Sequence, residues 1–133
     1  MKLMRTNCVL SLFAILVCLL SSCKKEEGFG GLASISGKVY AYDYNSSGKL
    51  EAEGYAGDIE VYISADGDSE ILERGRTSYD GGFIFRELRK GNYQVWVYSD
   101  CSKCPNGHEA VVQKVNIPGR KSHIELEVFE INI

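Results

Sequence analysis

Hydrophobic and polar residues alternate with a period of two along most of the chain from Ser34 onward. Clear runs are 59–63 (Ile-Glu-Val-Tyr-Ile) and 93–97 (Tyr-Gln-Val-Trp-Val). Such runs are rich in β-branched and aromatic residues and are bounded by turn-forming residues, which is typical of strands with one buried face. The pattern predicts about seven strands, near 34–44, 58–64, 69–76, 82–87, 91–99, 109–117 and 122–131, with a short additional strand possible near 49–52.

The same alternation assigns one side of each strand to a hydrophobic core. After residue 33 we find no run with the 3.6-residue period of an amphipathic helix. A domain of about 100 residues buries enough surface to fold without a disulfide framework. The sequence therefore predicts an all-β, antiparallel β-sandwich over residues 34–133. The predicted core residues are Val39, Ile59, Val61, Ile63, Phe83, Phe85, Leu88, Tyr93, Val95, Val97, Ile124, Leu126 and Val128.

The segment 77–97 carries the most specific pattern in the chain. Asp80-Gly81 permits a tight turn into a strand, and Gly91 permits a second turn before the chain runs back. The pattern resembles the carboxypeptidase regulatory-like, or transthyretin-like (prealbumin-like), family, although Ser78 stands where that family usually has an acid. The resemblance implies a seven-stranded Greek-key sandwich that acts as a non-enzymatic binding or accessory module. The matching residues are Thr77, Gly81, Phe83, Phe85, Leu88, Gly91, Tyr93, Val95 and Val97.

The first 22 residues are predicted to be a signal peptide. Lys2 and Arg5 precede a twelve-residue apolar run, 9–20, that only Ser11 interrupts. As a helix this run would span about 18 Å, which is too short to cross a bilayer core of about 30 Å. The run ends in Leu-Ser-Ser-Cys at 20–23 and resembles a bacterial lipoprotein signal, which implies a lipid on Cys23. An ordinary secretory signal with a chance cysteine is the alternative.

Residues 23–33 contain charged residues followed by glycines, and they are predicted to form a flexible tether behind the lipidated Cys23. A charged stretch at this place loosely resembles lipoproteins of Bacteroidota. The resemblance implies a lipid-anchored protein of the cell envelope, most simply of the outer membrane, without deciding between its periplasmic and surface faces. The membrane is thus the first predicted partner, through the lipid.

Charge excludes one class of partner. The full chain has a net charge of -3, and loss of residues 1–22 removes two basic residues, which leaves 13 basic against 18 acidic residues and a net charge of -5. An acidic domain repels the phosphates of nucleic acids, so no nucleic-acid partner is expected. The chain has two histidines and no recognisable catalytic arrangement, and the sequence predicts neither an enzyme nor a cofactor.

The segment 101–108, Cys-Ser-Lys-Cys-Pro-Asn-Gly-His, allows three interpretations. In an oxidising compartment Cys101 and Cys104 would form a disulfide in a loop, which we expect. A metal site would use Cys101, Cys104 and His108 but needs a fourth ligand. A redox-active pair normally opens a helix, whereas this pair follows a predicted strand.

Aromatic residues are frequent at the polar positions of the alternation, where side chains face solvent. They are candidates for stacking on sugar rings or for anchoring a protein partner, and cross-strand pairing is the structural alternative. The sequence thus supports an envelope binding module, with a glycan-binding accessory protein or a small metal or redox protein as alternatives. The candidate ligand-binding residues are Tyr40, Tyr42, Tyr62, Trp96 and Tyr98.

Overall fold

A computed structural model describes residues 26–133, and this part of the chain is all-β. Its strands form two sheets, one of five strands and one of four, so the predicted β-sandwich is confirmed. Within these residues no helix has the length and hydropathy needed to span a membrane. The strands are β1 (Phe29–Tyr44), β2 (Leu50–Tyr55), β3 (Glu60–Ala65), β4 (Glu73–Arg76), β5 (Gly82–Leu88), β6 (Gly91–Asp100), β7 (His108–Ile117), β8 (His123–Glu125) and β9 (Phe129–Asn132).

Strand β1 is the centre of the five-stranded sheet. Its first part pairs antiparallel with β5, and its second part pairs antiparallel with β2. β8 and β9 both pair with β1 in parallel. The described range thus has nine strands where seven and a short additional one were predicted, and two of them run parallel to β1, so the predicted antiparallel pairing holds only for the other strand pairs.

The four-stranded sheet has the order β4-β3-β6-β7 and is antiparallel throughout. β6 and β7 form a ten-residue hairpin, with Gly91 opposite Ile117 at one end and Asp100 opposite His108 at the other. Because the pairing is regular, side chains on neighbouring strands line up in rows on each face of the sheet.

The turn between Thr77 and Gly82 shows why the segment 77–97 has its residue pattern. The Thr77 hydroxyl accepts a bond from the Ile59 amide (2.9 Å) and donates to the Ala56 carbonyl (2.7 Å), which ties β4 to the connection before β3. Gly81 has a φ of 77°, and a Cβ there would lie 2.6 Å from the Val39 carbonyl oxygen. Any side chain at this position would force β5 away from β1.

The core lies between the sheets, and most of the predicted core residues are buried in it. Ile59, Ile124 and Leu126 are only partly buried at its edge. The prediction that Val128 is buried is wrong, since 43% of its surface is exposed. The predicted last strand is interrupted between β8 and β9, and the interruption shifts the alternation by one residue. Phe129 and Ile131 therefore occupy the core instead.

The domain begins earlier than predicted. β1 starts at Phe29, so residues 29–33 belong to the sheet and not to a flexible tether, and Ala33 is buried. The Tyr93 hydroxyl accepts a bond from the Gly28 amide (2.9 Å) and donates to the Arg89 carbonyl (2.9 Å), which fixes the entry of the chain. The predicted signal peptide and Cys23 lie outside the described residues.

Candidate functional site

The predicted aromatic residues do not form one platform. Tyr40 and Tyr42 alternate on β1 with buried residues and face outward from the five-stranded sheet. Tyr62, Trp96 and Tyr98 alternate on β3 and β6 with buried valines and an isoleucine, and they face outward from the four-stranded sheet. The structure thus divides the five candidates between the two outer surfaces of the sandwich.

The aromatic face, defined by Tyr62, Trp96 and Tyr98, lies at the middle of the four-stranded sheet. Tyr62 and Trp96 are direct cross-strand partners, and their rings stack with centroids 5.5 Å apart and planes 14° apart. Tyr98 meets Tyr62 edge to face at 5.6 Å and is 50% exposed. Three adjoining aromatic rings therefore form a single apolar surface on paired strands, in which Tyr98 is exposed and Tyr62 and Trp96 are half-buried.

A cluster of charges borders the aromatic face on the β4 side. The Tyr62 hydroxyl donates a hydrogen bond of 2.5 Å to Glu60. Arg76 also binds Glu60, at 3.0 Å, and Arg74 lies 3.8 Å from the same carboxylate. The hydrogen bond from Tyr62 and the two guanidinium groups hold the pKa of Glu60 below its usual value. The hydrogen bond to Glu60, together with burial, raises the pKa of Tyr62.

On the other side of Trp96 the surface forms a shallow depression of about 270 Å³. Val112 on β7 is opposite Trp96 in the register and adds an exposed apolar side chain. Gln94 lies at the far rim, where its amide donates to the Ser64 hydroxyl at 2.8 Å and to the Asp68 carbonyl at 3.1 Å. An apolar floor with polar groups at both rims is a surface suited to binding a ligand that has an apolar and a hydroxylated side.

The tyrosine face, defined by Tyr40, Tyr42 and Tyr55, lies on the other sheet. Tyr40 meets Tyr42 and Tyr55 edge to face, with both centroid distances at 5.3 Å. Burial, with Glu53 and Glu130 adding repulsion, raises the pKa of Tyr40 and Tyr42. The Lys38 ammonium lies 4.9 Å from the ring centroid of Tyr55. These tyrosines pack on one another and on neighbouring charges within the sheet surface.

Sequence reasoning missed Tyr55, Val112 and the arginines of β4. Tyr55 lies beyond the short strand predicted near 49–52, and only the pairing of β2 with β1 brings it opposite Tyr40. Val112 and Arg74 belong to strands other than those of Trp96 and Tyr62. Only the strand order and register place them in one row with these two aromatic residues.

The predicted disulfide between Cys101 and Cys104 is present, with the two Cα atoms 5.3 Å apart. It lies in the turn between β6 and β7, where the Cys101 amide binds the Gly107 carbonyl at 2.8 Å. The carboxylate within 4.8 Å of both sulfurs belongs to Glu109. His108, the third ligand of the metal alternative, instead places its Nδ1 3.0 Å from an oxygen of Asp100.

The bonded cysteines bear directly on the metal and redox alternatives. A metal is bound by cysteine as thiolate, and a disulfide offers none. The two sulfurs lie in a hairpin turn and not at a helix N-terminus, which is the setting that lowers a thiol pKa in redox motifs. The loop therefore serves in this structure as a cross-link at one end of the β6–β7 hairpin.

Comparisons with known proteins assign no family. No protein-family model and no curated protein matches the chain. The structure is similar to that of a proposed carbohydrate-binding protein from Pseudomonas aeruginosa, with 13% identity and a TM-score of 0.44 over 77% of this chain and 89% of that one. It is also similar to 5-hydroxyisourate hydrolase from Klebsiella pneumoniae, with 15% identity and a TM-score of 0.44 over 82% of this chain and 94% of that one. At this level of similarity, neither protein's ligand or activity transfers to this chain.

Proposed function

We propose that this chain is a non-catalytic binding module of a bacterial cell envelope, anchored by a lipid on Cys23, and that the aromatic face is its ligand-binding surface. One observation carries the proposal. Trp96 stacks with Tyr62 at the centre of the four-stranded sheet, next to an exposed Tyr98 and a shallow depression. Tryptophan and tyrosine are the residues that most often dominate binding surfaces, because they bring a large contact area at low entropy cost.

The lipid anchor rests on the sequence Leu-Ser-Ser-Cys at 20–23. A Cys23→Ala variant should lose the attachment and either appear in the soluble fraction or accumulate unprocessed. Membrane fractionation with a carbonate wash shows whether the variant is still attached. The mass of the protein shows whether the variant has been processed. A Cys23→Ala protein that is processed and remains with washed membranes would show that the anchor is not a lipid on this residue.

A carbohydrate is the ligand class that the aromatic face favours. A sugar ring has an apolar side that stacks on an aromatic ring and hydroxyl groups around its edge that seek polar partners. The rim here offers a carboxylate and guanidinium groups on the β4 side and an amide group on the other side. A protein ligand with an exposed apolar strip is the alternative, because the same rings would anchor it.

A glycan array is the direct test, and Tyr42→Ala supplies a matched control. We expect Trp96→Ala to weaken binding of any glycan hit by roughly thirtyfold or more, which is the size of a binding hot spot. Tyr42→Ala removes an aromatic residue from the opposite sheet and should leave binding unchanged. Equal losses in both variants would contradict the assignment of the site. An array without hits, combined with capture of an envelope protein that depends on Trp96, would favour the protein ligand.

A further inference from the structure

A second pocket lies at the end of the sandwich where the chain enters it, away from the aromatic residues. This basic pocket has a volume of about 300 Å³ and is lined by Gly30, Gly31, Arg89, Lys90 and Arg120. All three of its side chains are cationic, and none of its lining residues is acidic. The domain as a whole is acidic, so this concentration of positive charge is local.

The two glycines make room for Arg89. A Cβ on Gly31 would lie 1.9 Å from the Leu88 carbonyl oxygen, so only glycine permits β1 to pass this close to the end of β5. A Cβ on Gly30 would lie 3.1 Å from one terminal nitrogen of Arg89 and 3.5 Å from Nε. The guanidinium of Arg89 therefore lies against the backbone of β1 at Gly30, beside the pocket.

Arg89 also has unused hydrogen-bonding capacity. Its Nε is buried and has no hydrogen-bond partner anywhere in residues 26–133. This Nε is closed to solvent, so an anion in the pocket would meet the terminal nitrogens of the guanidinium, a group that binds anions well. Lys90 and Arg120 are exposed beside it and carry no ion pair within the same range. The pocket thus combines this guanidinium with two free cations.

The position of the basic pocket in the chain indicates which anion it meets. An Nη of Arg89 donates to the Glu26 carbonyl at 3.4 Å, and Glu26 is three residues after Cys23. Three residues span at most about 11 Å, so a lipid on Cys23 would hold this end of the domain at the bilayer surface. The residues that lead to the pocket are Lys24 and Lys25 followed by Glu26 and Glu27, so they carry no net charge and the positive charge of this end lies in the pocket itself.

We propose that the basic pocket binds the phosphate groups of anionic lipids and so orients the domain on its membrane. The inference rests on the proposed anchor, because the anchor brings the pocket to the headgroups. Cationic side chains within a Debye length of an anionic bilayer are attracted to it, and arginine pairs with phosphate through two parallel hydrogen bonds. This orientation directs the other end of the sandwich, with the disulfide loop, away from the lipid.

The test uses the unlipidated chain 24–133, which contains all nine described strands and the whole described core. Sedimentation with phosphatidylcholine vesicles, with and without phosphatidylglycerol, measures binding that the anchor does not supply. We expect salt-sensitive binding only to the vesicles that contain phosphatidylglycerol. Lys90→Gln with Arg120→Gln should weaken it roughly thirtyfold, by the effect of two cations at an anionic surface. Both residues are exposed, so thermal melts should confirm that the variant folds.

Lys49→Gln with Lys103→Gln is the matched control, because it removes two exposed cations elsewhere. Equal weakening in both double variants would overturn the proposal, since net charge and not the pocket would then explain binding. Absence of binding to phosphatidylglycerol vesicles would also overturn it. Inorganic phosphate that shifts the melt of the parent but not of the pocket variant, without vesicle binding, would assign a soluble anion instead. The Cys23→Ala fractionation reports separately on the anchor, so either idea can fail alone.

Discussion

The two outer surfaces of the sandwich carry the same kind of residue in different settings. On the aromatic face, Trp96 stacks on Tyr62 in the middle of four strands and is bordered by the arginines of β4. On the tyrosine face, Tyr40 is surrounded by Tyr42, Tyr55 and carboxylates. The depression beside the first surface is lined by both Trp96 and Tyr98, whereas a depression of about 240 Å³ beside the second is lined by Tyr55 but by neither Tyr40 nor Tyr42. Aromatic residues on a sheet are therefore informative only together with the groups beside them.

The largest expected effect tests how the tyrosine face is built. Glu130 faces outward beside Tyr40 only if Phe129 faces inward, because neighbours in a strand point to opposite sides. Phe129→Ala should reduce the free energy of unfolding by about 3–5 kcal/mol, as for a large core aromatic. Val128→Ala, at the exposed neighbouring position, should change it by less than about 0.5 kcal/mol. Chemical denaturation measures both values, and the reverse order would place β9 in the wrong register.

The second effect concerns the disulfide at one end of the four-stranded sheet, which carries the aromatic face. Replacing both Cys101 and Cys104 by serine should cost no more than about 2 kcal/mol, because a disulfide across so short a loop restricts the unfolded chain only slightly. Limited proteolysis should show cleavage confined to 100–108, and ligand binding at Trp96 should persist. Loss of binding in this variant would mean that the loop belongs to the site.

The third prediction compares aromatic pairs on the two faces by double-mutant cycles. Tyr62 with Trp96 and Tyr40 with Tyr55 are both cross-strand pairs with ring centroids 5.3–5.5 Å apart. Each pair should show a coupling of about 0.5–1.5 kcal/mol in unfolding free energy. Similar couplings would mean that pairing stabilises both surfaces, so that a difference in binding must come from their surroundings. A much weaker coupling on the aromatic face would indicate rings that are held loosely.

The smallest effect is the pH dependence of Glu60 and Tyr62. The pKa of Glu60 is lowered by folding, so its stabilisation is present above its unfolded pKa and is lost as pH falls through the folded value. The pKa of Tyr62 is raised, so its stabilisation is present below its unfolded pKa and is lost as pH rises through the folded value. Glu60→Gln should lower the tyrosine pKa seen by ultraviolet titration. Glu53→Gln should change the pKa of Tyr40 less, because burial is the main cause of the raised pKa there.

The local alternation of hydrophobic and polar residues predicted several strands well. β3, β5, β6 and β7 lie within a few residues of their predicted bounds. The pattern from Thr77 to Tyr93 corresponds to a real turn before β5 and to the connection that crosses from β5 in one sheet to β6 in the other. Val128 was misplaced because 126–128 continues the alternation by composition while the chain leaves the sheet there. The position of the break is set by the pairing of β8 and β9 with β1, which is distant from them in sequence.

The candidate site was only half predictable, for a related reason. Alternation shows that Tyr40 and Trp96 both face outward, but it does not tell which sheet each belongs to. Sheet membership follows from strand order, and strand order depends on contacts between residues far apart in the chain. The disulfide was predictable because a separation of three residues already places the two sulfurs close together.

The parallel pairing of β1 with β8 and β9 has a consequence for the time course of folding. Val39 meets Phe129 across ninety positions of sequence, so the centre of the five-stranded sheet is completed only when its most distant segment arrives. Closing such a long loop costs conformational entropy before the stabilising contacts between its ends can form. Domains of this topology therefore fold in milliseconds to seconds, much slower than helical bundles. Until then one edge of β1 is exposed and able to pair with other chains.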